Sequence, residues 1–267
     1  MSTPADPYAP APVAGAVRFL YRLNPLSKLA AVLPATLCLV FVRDLATPLV
    51  FLALTAATLL IGVRFTARLA AVLLLVIPAA VLALGCGFAL WTDAATVADT
   101  PTVLQLGDWR LFAGALHTGF ATGTRLAAIL ALGVVLGMST TGADLARSLV
   151  QQLRVPYRVG YTALAAFRFV PRFGYELELI RQAHRVRGAR TGRSPFATIA
   201  RGTGYVIPLL AGAIRHAERV ALAMEARAFG AHSRRTERRP VPFRARDVVF
   251  PLCAWAVTAA VLIALAP

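Results

Sequence analysis

Lysine is almost absent. Of 28 basic residues only Lys28 is a lysine, and it lies in NPLSKL rather than in a GxxxxGK[ST] loop. The phosphate-gripping lysine of a P-loop is therefore missing, and the chain does not hydrolyse a nucleotide by that route. The three cysteines, Cys38, Cys86 and Cys253, all fall in apolar runs with no metal-ligand spacing. Buried cysteine behaves as a small hydrophobe, so neither a disulfide framework nor a metal site is expected. Four dispersed histidines form no HExxH pair, and no GxSxG elbow is present. No catalytic residue is assigned. Because nearly every cation is arginine, the choice of arginine at any one position carries little information.

Charge is also scarce, at 15% of residues against 58% hydrophobic, with a mean hydropathy of +0.68. A soluble domain is nearer a quarter charged, so this composition implies a bilayer. Four stretches, 47–63, 67–90, 118–138 and 248–266, are apolar enough to cross a ~30 Å hydrocarbon core as helices. A fifth, 26–42, is shorter and contains Pro34. The expected fold class is an all-α integral membrane protein with about five transmembrane helices and a cytoplasmic domain of amphipathic helices. Arg18, Arg22 and Lys28 precede the first span, and Arg64 and Arg68 separate the second from the third. The 91–109 connector carries Asp93, Asp99 and Asp108 with no cation. By the positive-inside rule the N-terminus is cytoplasmic and that connector outside. The resulting organisation is a flexible cytoplasmic tail (1–22), four spans (23–139), a cytoplasmic domain (140–246) and a final span (247–267). The spans carry no Asp, Glu or His at their centres and no internal repeat, unlike most secondary transporters.

The net charge of +16 is concentrated. From Arg181 to Arg246 there are 15 arginines against Glu218, Glu225 and Glu237, a net of +12. Beside transmembrane segments such a block marks the cytoplasmic face or anionic headgroups rather than nucleic acid. It is patterned as helices. Thr140 or Thr141 caps a first helix, with Leu145, Leu149 and Leu153 spaced by four. A second is bent or begun at Pro171, lines Leu177, Ile180 and His184 on one face and stops at Gly188. A third runs from about 195 to 229 with a stripe of Ile214, Ala217, Val220/Ala221, Met224 and Ala228, and stops at Gly230. Arg187 and Arg227 thus each occupy the last turn of an amphipathic helix. The helix macrodipole alone favours arginine there. The amphipathic faces, none self-sufficient, imply a membrane surface or another protein.

Three stretches carry a resemblance: LNPLSKL (23–29), FRFVPRFGYELELIRQAHRVRG (167–188) and HAERVALAMEARAFG (216–230). Together they resemble the transmembrane T component of energy-coupling factor (ECF) importers, the CbiQ/BioN/EcfT family. Its pattern is a Pro-x-x-Lys-Leu lead-in to the first span, then Arg-Phe-x-Pro, a Glu leading to Ala-Gln-x-Ala-Arg-Gly, and Ala-Met-Glu-Ala-Arg-Gly-Phe. The likeness extends over most of the chain from Leu23, including LRVPYRVG before the second cytoplasmic helix.

The resemblance implies a non-catalytic lever in a prokaryotic cell membrane. Its membrane helices cradle a substrate-binding S component, and its cytoplasmic helices sit on two ABC ATPase subunits, which alone bind ATP-Mg; the chain needs no cofactor of its own. Its substrate class is a vitamin or metal ion. The ATPase-docking residues implied are Val186, Arg187 and Gly188 in the first motif and Ala226, Arg227 and Ala228 in the second. Glu225, Gly230, Arg168 and Pro171 support them, Arg168 as a structural residue and Pro171 as a kink. A guanidinium between small neighbours can enter a groove and pair bidentately with a carboxylate. Val186 stands where Ala is usual, His184 where Gln is, and Ala228 where Gly or Ser is. The alternative is a stand-alone channel or lipid-acting membrane protein whose basic domain binds anionic lipid.

Overall fold

A computed structural model of the chain describes residues 19–93, 96–97, 99–106, 109–187, 195–232, 237 and 240–265. The expected tail falls outside the described residues for all but its last four positions, a 3-10 turn at Phe19–Arg22. Among the described residues nine α-helices follow: α1 (Pro25–Phe41), α2 (Ala46–Gly62), α3 (Ala67–Ala71), α4 (Ile77–Trp91), α5 (Ala113–Ser139), α6 (Gly142–Gln152), α7 (Tyr157–Val186), α8 (Pro195–Glu225) and α9 (Ala245–Ala264). A π-helical stretch, Val72–Val76, joins α3 to α4 as one apolar rod. Within the 91–109 connector and just beyond it lies a small antiparallel hairpin, β1 (Thr102–Leu106) with β2 (Trp109–Phe112), which the sequence reading did not anticipate.

The chain divides into two compact units, one comprising residues 146–241 and the other the described residues before Ala146 together with Pro242 onward. The second unit is the membrane bundle. Three of its helices are long and apolar enough to span: Ala67–Trp91, Ala113–Ser139 and Ala245–Ala264. α1 and α2 are apolar but have 17 residues each. At 1.5 Å per residue they reach about 26 Å, a shortfall that local thinning of the bilayer accommodates. The chain is a multi-pass membrane protein.

In hydrocarbon every backbone polar group must find a partner inside the protein. Pro34 has no N–H, so the Ala30 carbonyl one turn earlier loses its helical donor. Trp255 Nε1 of α9 donates to that carbonyl at 2.8 Å. Hydroxyls of Thr36, Thr55, Thr58, Ser139 and Thr258 each bond back to the carbonyl four residues earlier. α4 and α5 approach closely because α5 presents the buried Gly119 and Gly123, spaced by four, to Gly85 and Ala89 of α4. A Cβ on Gly123 would land 2.5 Å from Gly85 N of α4, so only glycine permits this spacing.

The unit of residues 146–241 is built on an antiparallel pair, α7 against α8. Phe169 stacks on His216 with ring centroids 4.5 Å apart, and His184 meets Tyr205 edge-on at 5.2 Å. α7 runs from Tyr157 to Val186 with Pro171 inside it, so of the two readings, bent or begun at Pro171, the helix does not begin there. Leu177, Ile180 and His184 are the half-buried face, as their spacing predicts. The stripe expected on α8 holds at Val220 and Met224 but not at Ile214, Ala217 and Ala228. Tyr205, Leu209, Gly212, His216, Val220 and Met224 face inward, while Ile214, Ala217 and Ala221 are exposed. The rings of Tyr205 and His216, and Gly212 beside Glu176, set this register in place of the aliphatic residues.

Candidate functional site

Both motif arginines lie at helix C-termini. Arg187 is the C-cap of α7, with its N–H donating to Ala183 O, and its side chain is exposed. Val186 beside it is 88% exposed, which no buried packing role explains. Gly188 lies outside the described residues.

The second motif forms a complete capping turn. Phe229 N donates to Met224 O (2.9 Å), and Ala228 N to Glu225 O (2.8 Å). These are the two bonds of a Schellman motif, with Arg227 as C-cap and Ala228 in the left-handed position at φ +52°. The helix therefore stops at Ala228, not at Gly230. Gly230, at φ +94°, continues the turn two residues later. The start of α7 holds this turn: Arg158 Nη2 donates to Gly230 O (2.9 Å) and Tyr157 Oη to His232 O (2.7 Å). The Phe229 ring meets Tyr157 and Tyr161 edge-on at 5.6 and 6.0 Å. With Phe229 and Gly230 anchored, Ala226, Arg227 and Ala228 face outward, as does Glu225.

Antiparallel pairing sets the separation of the two arginines. His184 lies beside Tyr205, so Arg187 is level with about residue 202 of α8. Arg227 sits about 25 residues further along, which at 1.5 Å per residue is about 40 Å. Neither guanidinium has an ion pair or side-chain hydrogen bond among the described residues. Arg168 is exposed on α7, with no such bond among the described residues either. Pro171 is likewise exposed on α7.

Two constellations escaped the sequence reading. At one end of the membrane bundle Lys28 is 1% exposed, and its Nζ donates to Ser139 O (2.7 Å) and Thr140 Oγ1 (3.0 Å) at the end of α5. Beside it Asn24 Oδ1 caps α1 through Leu26 N, while Asn24 N donates to the buried Asp247 of α9 (2.7 Å). The NPLSK stretch is thus a knot joining α1, α5 and α9; the motif was visible, but its partners lie over a hundred residues away. At the C-terminal end of α1, Arg125 from the middle of α5 donates to Val42 O at 2.9 Å, beside Arg43.

The comparisons bear on this arrangement. The family model described as cobalt transport protein (CbiQ) matches residues 16–237. The energy-coupling factor transporter transmembrane protein EcfT of Bacillus subtilis is 24% identical over 157 residues, 56% of this chain and 59% of that protein. That of Thermotoga maritima is 32% identical over 111 residues, 41% of this chain and 40% of that protein. A putative ABC transporter ATP-binding protein of Bifidobacterium longum is 27% identical over 244 residues, 86% of this chain. The chain spans only 30% of that last relative's length. The family match takes in Lys28, the α7–α8 pair and both arginine caps, and by it the chain belongs to the cobalt transport protein (CbiQ) family.

Proposed function

We propose that this chain is the transmembrane coupling (T) subunit of an ECF-type ABC importer. It transmits ATP-driven motion of two ATPase subunits to a membrane S component that binds a vitamin or metal ion. The observation that carries this reading is the pair of exposed arginine caps, Arg187 and Arg227, at opposite ends of the α7–α8 pair. A guanidinium held at a helix tip without a partner among the described residues is available for a carboxylate in another protein's groove. Relatives whose names say energy-coupling factor transporter and ATP-binding protein support the same reading. α8 also leaves Ile207, Leu210 and Ile214 more than half exposed, an apolar stripe suited to a membrane partner. The proposed location is a prokaryotic cell membrane, with the N-terminus and the 146–241 unit in the cytoplasm and ATP-Mg bound by the partners.

The test is charge reversal. Arg187→Glu and Arg227→Glu each place a carboxylate against the proposed acidic groove, and losing one such desolvated pair costs about 2–5 kcal/mol. Each variant is expected to lose ATPase subunits on co-purification, and the double variant to lose ATP-driven uptake. Assembly and uptake by the double variant at the unmodified level would overturn the docking role.

A further inference from the structure

The membrane bundle carries two cations that coupling does not use. Arg125 lies within α5, a helix otherwise apolar enough to span, and its Nη1 donates to Val42 O at the C-terminal end of α1. Arg43 is the next residue and is exposed. With Val42, Thr118, Ala121 and Thr122 the two arginines line a cleft of about 230 Å³. Arg43 has no hydrogen bond or ion pair among the described residues, and Arg125 has only the bond to Val42. The nearest carboxylate in sequence, Asp44, is turned to Thr47 N at 2.6 Å as a helix cap. The cleft thus presents two guanidinium groups and two threonines, with no acid lining it among the described residues.

An ionisable group at membrane depth is retained where it has a charged partner or a site to serve. Phe41, two residues before Arg43, is 77% exposed, so the cleft lies beside a lipid-facing surface. Basic pockets between membrane helices bind headgroup phosphates. Planar guanidinium forks match phosphate oxygens bidentately. We infer that the Arg43–Arg125 cleft binds a phosphate-bearing anion, with the Thr118 and Thr122 hydroxyls as further donors and the Arg125–Val42 bond holding its floor.

The test uses the full chain, purified and delipidated in detergent. Native mass spectrometry is run with dioleoyl phosphatidylglycerol, dioleoyl phosphatidylcholine and inorganic phosphate as separate arms. One phosphatidylglycerol is expected to bind at least tenfold more tightly than any further copy. Arg125→Gln and Arg43→Gln are expected to weaken that binding at least tenfold. Arg43→Gln is the sharper variant, since Arg43 makes no hydrogen bond or ion pair among the described residues whose loss could disturb the fold. Arg64→Gln with Arg68→Gln, at the other end of the bundle, is expected to leave it unchanged. Binding of both lipids and competition by phosphate identifies the phosphodiester as the ligand; binding of phosphate without either lipid identifies a free anion. Absence of binding in all three arms, or equal losses from the Arg43 and the Arg64/Arg68 variants, overturns the site.

Discussion

Ala228 explains why this turn favours glycine. In the Schellman turn its φ is +52°, where the Cβ of an L-residue crowds the following carbonyl at a cost of about 1–2 kcal/mol. Glycine adopts that conformation without the clash but loses more chain entropy on folding, about 0.5–1 kcal/mol. The balance predicts that Ala228→Gly stabilises the 146–241 unit by about 0.5–1 kcal/mol, a rise of roughly 1–3 °C in Tm. Ala228→Val, with a branched Cβ in the same position, is expected to lower Tm by more than that. Thermal unfolding of the detergent-solubilised chain measures both, and a fall in Tm with glycine would show that the left-handed turn is not the origin of the preference. The sequence marks Ala228 as a departure from the family pattern; its cause needs the backbone dihedral, which one sequence does not carry.

Among elements, the α1–α9 contact shows most clearly what one breaks and another repairs. Pro34 leaves Ala30 O without its helical donor, and Trp255 Nε1 supplies a replacement at 2.8 Å. Trp255→Phe keeps the ring but removes the donor, leaving that carbonyl unpaired at about 1–3 kcal/mol. In Pro34→Ala the helical N–H returns, so the indole is redundant. The expected outcome is a loss of stability for Trp255→Phe that shrinks by more than half in the Pro34→Ala background, read from Tm values in a double-mutant cycle. Equal losses in both backgrounds would show that the tryptophan acts by packing alone. The apolar runs and Pro34 are legible in the sequence because hydropathy and helix breaking are local. Trp255 as the repair is not, since its partner is 225 positions away. The same limit applies elsewhere. Leu177, Ile180 and His184 are read correctly from their spacing, yet the inward stripe of α8 is read correctly only at Val220 and Met224. Aliphatic periodicity points to Ile214, whereas stacking of Phe169 on His216 turns that residue outward. Both motif arginines are visible in the sequence, but their separation depends on antiparallel pairing.

At the scale of the whole molecule that separation is the quantity with functional content. The helix tips bearing Arg187 and Arg227 are similar in sequence, and a single acidic groove could in principle receive either. About 40 Å of paired helix lies between their levels, several times the reach of an arginine side chain. The α7–α8 pair therefore presents two docking points that one groove cannot hold together, consistent with the proposed pair of ATPase subunits. A photo-crosslinking amino acid placed at position 187, at 227, or at both in one chain tests this in the assembled transporter. Each single placement is expected to give a product of this chain with one ATPase subunit, and the double placement a product with two. The Arg227 tip is held by Tyr157, Arg158 and Tyr161 at the start of α7. Tyr157→Ala with Tyr161→Ala is therefore expected to reduce the crosslink at 227 severalfold and leave that at 187 unchanged. A double-placement product that never exceeds one ATPase subunit, or a tyrosine variant that lowers both crosslinks equally, would mean that the two tips do not dock independently.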